Sequence, residues 1–200
     1  MTQYDPQYVK PWLARSMQSY VYFAGSDWID ERRVRAHERV RQRQLKGIMK
    51  THKPSNFVVQ EDPAYNRISP LDLQSKEWRG DLAVRQIERH DQKGRVFHTR
   101  YLFELKIDDA PERKLDWDLY KLASLQRAKR TRGERCRAFL VVLGIGAPSE
   151  RFEYSGRPRT LASRWMLDVN ITYQTRGIFT AAPVGSEDDA HYACLVEVTT

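Results

Sequence analysis

Cysteine is scarce in this sequence: Cys136 and Cys194 are the only two in 200 residues. Two thiols make no disulfide framework, and a reducing cytoplasm is the expected setting. Long apolar runs are missing too. The longest, 138–147, is ten residues, against roughly 18 or more for a membrane helix, so no span is expected. The first residues show no basic segment followed by an apolar one, so no signal peptide is expected. There is no internal repeat and no low-complexity tract. Apolar residues are 40% and aromatics 11%, enough for a buried core and too many for a disordered chain. The 34 Lys and Arg outnumber the 26 Asp and Glu, a net +8. That balance favours polyanionic partners and says nothing about fold. The length suits one compact domain, with 1–53 as a helical arm plus first core helix and 54–200 as the core.

Within 5–24, Trp12, Leu13, Met17, Tyr20 and Val21 recur at helical spacing and predict a docked helix. Gly25 and Ser26 punctuate it. Ser26 or Asp27 would cap a second helix running to about Lys50, with Asp30 and Glu31 in its first turn. Prolines 54, 63 and 70 and Gly80 mark loops, with a short strand at 56–60. Strands are predicted at 81–88 and 95–107, the latter with clear period-two alternation and a turn at 91–94 between them. A helix over 115–130 carries Leu119, Leu122, Ala123, Leu125 and Ala128 on one face. The stretch 137–145 is apolar throughout, as a strand covered on both faces requires. Strands at 165–179 and 192–198 follow a loop at 148–158. A helix between the strands at 95–107 and 137–145 implies a parallel crossover, so the class is α/β: a central mixed β-sheet flanked by helices.

Glu104 and Lys106 stand two apart on one strand and share a face. If the preceding hairpin turns at 92–93, residue i faces roughly residue 185 − i, which sets Asp81 beside Glu104. Two carboxylates held so close repel each other. A hard divalent cation such as Mg²⁺, with Mn²⁺ able to substitute, relieves this through oxygen ligands while keeping several waters. A neighbouring ammonium can orient or deprotonate a bound water, which suits phosphodiester hydrolysis. Taken singly, Glu104 and Lys106 also fit a solvated pair on an edge strand, and Asp81 a cap at the start of one.

The ordered set RGDLAV (79–84), YLFELKI (101–107), LDWDLYKLASL (115–125) and AFLVVLG (138–144) resembles the PD-(D/E)XK nuclease superfamily over about 27–146. The resemblance implies a restriction-endonuclease-like core of about four mixed strands between helices. It implies Asp81 and Glu104 as metal ligands and Lys106 as the catalytic lysine. It also implies an acid on the first core helix, for which Glu38 is the first choice and Glu31 the second, and a polar helix residue near the phosphate, Lys121. The family's Pro before the Asp is replaced here by Gly80.

Two basic stretches point to phosphate contact. Residues 31–53 hold nine Lys and Arg against two acids, and 127–137 hold six against one. Arg35, Arg39, Arg43, Arg127 and Arg130 are the expected backbone contacts, together with Lys121. The five histidines show no metal-ligand spacing. Both cysteines are expected as buried thiols. The tryptophans are expected in the core or at helix contacts, with base stacking by Trp117 or Trp165 as the alternative. The leading expectation is a metal-dependent nuclease acting on DNA, or on RNA, as a homodimer or within a nucleoprotein complex. The alternatives are a non-catalytic nucleic-acid-binding subunit of the same fold and an assembly protein with an acidic partner.

Overall fold

The computed structural model describes residues 2–30, 38–65, 78–90, 94–161, 171–182 and 190–199, with 27–30 and 90 described in backbone alone. The strands are β1 (Gln3–Tyr4), β2 (Phe57–Glu61), β3 (Leu82–His90), β4 (Gly94–Ile107), β5 (Arg137–Ile145), β6 (Arg159–Leu161), β7 (Ile171–Ala181) and β8 (His191–Thr199). They form one eight-stranded sheet in the order β1-β7-β8-β5-β4-β3-β2, with β6 on β7. Only β4 and β5 pair in parallel; the other described pairs are antiparallel. The protein is therefore α/β with a mixed sheet, and the sheet is about twice as wide as the four-stranded core implied by resemblance. Residues 159–161 and 171–181 continue it beyond that core, and β4 is an interior strand rather than an edge.

Three helices flank the sheet among the described residues: α1 (Pro11–Asp30), α2 (Glu38–His52) and α3 (Glu112–Thr131). Period two sorts the core into layers. Tyr101, Phe103 and Leu105 of β4 and Phe139, Val141 and Leu143 of β5 face Leu13, Met17 and Tyr20 of α1 and Leu45 and Met49 of α2. Leu102, Ala138, Leu140 and Val142 face Leu115, Leu119 and Leu122 of α3. The uniformly apolar β5 is thus covered on both faces. Both cysteines are free and buried in the second layer, and burial pushes the Cys136 thiol up to about 12.

The break expected at Gly25–Ser26 is absent. The α1 helix continues through it to Asp30, so Asp30 belongs to the first helix and not to the first turn of a second one. Tyr20, Val21 and Ala24 stay buried along that stretch, and the Ser26 hydroxyl donates to the Tyr22 carbonyl (2.8 Å) within the helix instead of capping a new one. Glu31 and Arg35 lie outside the described residues, as do 165–170 of the predicted strand 165–179. Among the described residues no helix is long and apolar enough to cross a membrane.

Candidate active site

The β3–β4 hairpin sets the register. Leu82 pairs with Phe103, Ala83 with Leu102 and Val84 with Tyr101, before a bulge at Val84/Arg85 shifts the remainder by one. Extending the ladder one step places Asp81 beside Glu104, at the carboxyl end of the parallel β4–β5 pair, where open α/β sheets hold their ligands. Asp81 is fixed at both ends. Its Oδ2 accepts from the Leu105 amide (2.6 Å), and its carbonyl accepts from Gln42 Nε2 of α2 (2.6 Å) and from the Asp62 amide (2.9 Å).

Glu104 is 2% exposed and points to the α3 face. Its Oε1 accepts from the Tyr65 hydroxyl (2.5 Å) and from Lys121 Nζ (3.0 Å). Lys121 also meets Asp118 Oδ1 (2.7 Å), and Asp118 Oδ2 lies 3.1 Å from Lys106 Nζ. Lys106 in turn donates to Glu38 Oε1 (2.8 Å). Acids and lysines therefore alternate along Glu38–Lys106–Asp118–Lys121–Glu104. The solvated edge pair is excluded on two counts: Glu104 is buried, and its lysine is Lys121, not Lys106. Lys121, expected at a phosphate, has only 12% of its side chain exposed and is spent on Glu104 and Asp118.

Burial raises the Asp81 carboxyl above the usual range, against the Leu105 amide, which lowers it. Burial pushes Glu104 up to about 8, with Lys121 opposing and Asp118 and Asp81 adding to the rise. Burial alone would lower the Lys106 ammonium, but Asp118, Glu38 and Asp81 more than reverse it and hold the group above the ordinary lysine range. Lys106 is thus set up as a persistent cation and not as a base.

The residues fit a hard divalent cation. Counted as ionised, Glu38, Asp81, Glu104 and Asp118 carry four negative charges against the two of Lys106 and Lys121. Each proposed ligand commits one oxygen; among the described residues no hydrogen bond reaches Asp81 Oδ1 or Glu104 Oε2. Among the described residues the Tyr20 hydroxyl is buried without a hydrogen-bond partner, within electrostatic reach of Arg41, Asp81 and Glu38. No cluster of three or more metal-binding side chains occurs among the described residues; two carboxylates suffice for Mg²⁺, which keeps most of its waters.

Sequence reasoning missed Asp118 and Tyr65. Asp118 and Lys121 are three apart and flank the apolar stripe Leu115–Leu119–Leu122, so helical spacing alone turns them to the sheet. Tyr65 is reached through tertiary pairing: Gly80 N–H donates to the Pro63 carbonyl (3.0 Å) and Tyr65 N–H to the Trp78 carbonyl (2.8 Å). The tyrosine ring then covers Gly80, where an added Cβ would sit 2.6 Å from Tyr65 Cε1. This explains why the residue before Asp81 has no side chain. Gly80→Ala should cost about 1–3 kcal/mol by overpacking, read by thermal melting. In a Tyr65→Ala background the same change should cost little, since the two effects are coupled. Equal costs in both backgrounds would exclude the contact.

A cleft of about 890 Å³ opens over the site, lined among the described residues by Glu38, Lys106, Arg113, Lys114, Trp117 and Asp118. Arg39 and Arg43 are exposed on α2, close in sequence to Glu38, with Arg43 3.7 Å from Glu61. Arg127 and Arg130 are exposed on α3 but roughly 14–18 Å along the helix from Asp118, at about 1.5 Å per residue. In the same stretch Lys129 is neutralised by Glu134 (2.5 Å) and Arg137 by Glu197 (2.6 Å). Trp117, expected in the core or at a helix contact, is 43% exposed. No protein-family model, no curated protein and no solved structure matches this chain.

Proposed function

We propose that this protein is a metal-dependent nuclease that hydrolyses DNA phosphodiester bonds. The observation that carries the reading is the meeting of Asp81, Glu104 and Lys106 at one end of the sheet, beneath a cleft with a cationic rim. Asp81 and Glu104 would hold a Mg²⁺ ion, which supplies charge neutralisation at a phosphate and a more acidic bound water. Lys106 holds a fixed positive charge beside the reacting phosphate. Asp118 and Glu38 hold that ammonium in place, and Tyr65 and Lys121 orient Glu104. The exposed Arg39, Arg43, Arg113 and Lys114 would grip the backbone.

The test is plasmid DNA with Mg²⁺, then with EDTA. Nicking or linearisation that EDTA stops is expected; plasmid and single-stranded circular DNA both left intact across Mg²⁺ and Mn²⁺ would exclude catalysis. A second reading, a nucleic-acid-binding subunit without chemistry, is favoured by one observation: Glu104 Oε1 is already committed to the Lys121 ammonium and the Tyr65 hydroxyl. Salt dependence separates both readings from an assembly protein with an acidic protein partner. Four phosphate contacts predict a log–log slope of about −3 to −4 on duplex DNA, whereas a slope near zero would remove nucleic acid as the partner.

A further inference from the structure

We infer that the first two turns of α3 form a stacking platform for an unpaired nucleotide, so that the substrate presents single-stranded DNA to the cleft. The inference rests on the nuclease reading and names the form of its substrate. Trp117 lies one residue before Asp118 and Trp78 three before Asp81, so the two tryptophans flank the carboxylates in sequence. In space they meet: Trp78 and Trp117 pack edge to face at 5.6 Å, and Tyr120 contacts Trp117 at 5.3 Å and Trp78 at 5.6 Å. Trp78 and Tyr120 are partly buried on the core and brace the third ring. Trp117 stays 43% exposed and lines the cleft that holds Lys106. A large ring held this way has little freedom left to lose on binding.

Arg113 and Lys114 line the same cleft, at i−4 and i−3 from Trp117 and so on its side of the helix. A π-face with two cations one turn away matches the repeating unit of a single strand, a base face followed by a phosphate. In a duplex the base faces are taken by stacking on one another, so the ring would find no partner there. An apolar peptide would use the ring but not the cations. A single strand uses both.

The probe is fluorescein-labelled oligothymidylate, compared with a duplex of equal length in EDTA at constant moderate salt. Single strand should bind at least about tenfold tighter than duplex. Trp117→Ala should weaken single-strand binding roughly 5- to 150-fold, the range for one base–aromatic stack, and bring the ratio toward one. Trp117→Phe keeps a π-face and should retain most of the affinity; circular dichroism checks the fold of both. Parental single-strand affinity in Trp117→Ala, or equal losses on both probes, overturns the platform. If the parent still cuts plasmid in that case, the nuclease reading stands without it. If Trp117-dependent binding is found and no cleavage occurs, the platform stands and the nuclease reading falls.

Discussion

Plasmid DNA incubated with Mg²⁺ and either Asp81→Asn or Glu104→Gln protein should stay uncut over times in which the parent protein consumes it, a loss of roughly 10²–10³-fold or more. Metal titration should fail in the same variants, because each change removes an anionic oxygen. Stability should move differently. In metal-free protein Glu104 is pushed up from 4.5 to about 8 by burial, so the folded state binds that proton more tightly than the unfolded chain does. The stability this provides is full below about 4.5 and is lost as pH rises through about 8. Glutamine is neutral at every pH, can still accept from Tyr65, and leaves Lys121 paired with Asp118 at 2.7 Å. Glu104→Gln should therefore melt close to the parent near pH 4.5 and above it near pH 9, with the gap opening between those values. A gap that does not change with pH, or that opens toward acid, would show that Glu104 is charged in the metal-free fold. Cleavage by either variant at the parental rate would remove the pair from the chemistry.

The parts of this site visible in the sequence are those fixed by strand geometry. Glu104 and Lys106 share a face because strands alternate, and Asp81 meets them because a hairpin turn sets the register. The bulge at Val84/Arg85 lies between the turn and Asp81: near the turn His90 faces Gly94, one step out of a register centred at 92–93, and the bulge adds the step that sets Leu82 opposite Phe103 and so Asp81 beside Glu104. The apolar run of β5 announced a covered strand for the same local reason. What stayed hidden depends on other elements. Tyr65 sits in a stretch whose only sequence signals were prolines, and it reaches Glu104 through pairing with residues 78–80. The true partner of Lys106 is not its strand neighbour Glu104 but Asp118 from α3 and Glu38 from α2, a choice made by packing. At Gly25 tertiary burial overrode a local helix-breaking signal, as it commonly does. Arg127 and Arg130 show the opposite limit: composition counted them with the site, while the length of one helix separates them from it.

Lys106 should prove essential for turnover and dispensable for metal binding. The structure changes how this must be tested. Only 12% of the Lys106 side chain is exposed, and its ammonium bridges Glu38 and Asp118. Breaking a buried pair by removing one partner costs about 3–5 kcal/mol when the other charge is stranded. Here it is not stranded: Asp118 keeps Lys121 at 2.7 Å, and the Glu38 side chain is 45% exposed to water. Lys106→Met keeps the apolar stem that lies against the strand and deletes only the charge, so its melting temperature should fall by less than a stranded carboxylate would require. Both proposed ligands remain, so metal titration should give near-parental affinity. Cleavage should nonetheless drop by roughly 10²–10³-fold, the usual effect of losing one fixed charge from a transition state. Lys106→Arg should recover only part of the rate, because a planar fork cannot occupy the point between Glu38 and Asp118 that a compact ammonium does. Folded Lys106→Met protein that cuts at the parental rate would make the lysine a structural tie between α2 and α3 and leave the carboxylates without their cation. Loss of metal binding in the same variant would instead mean that the Lys106 bridge to Glu38 and Asp118 keeps Asp81 and Glu104 in place, and its role would shift from the phosphate to the ligand set.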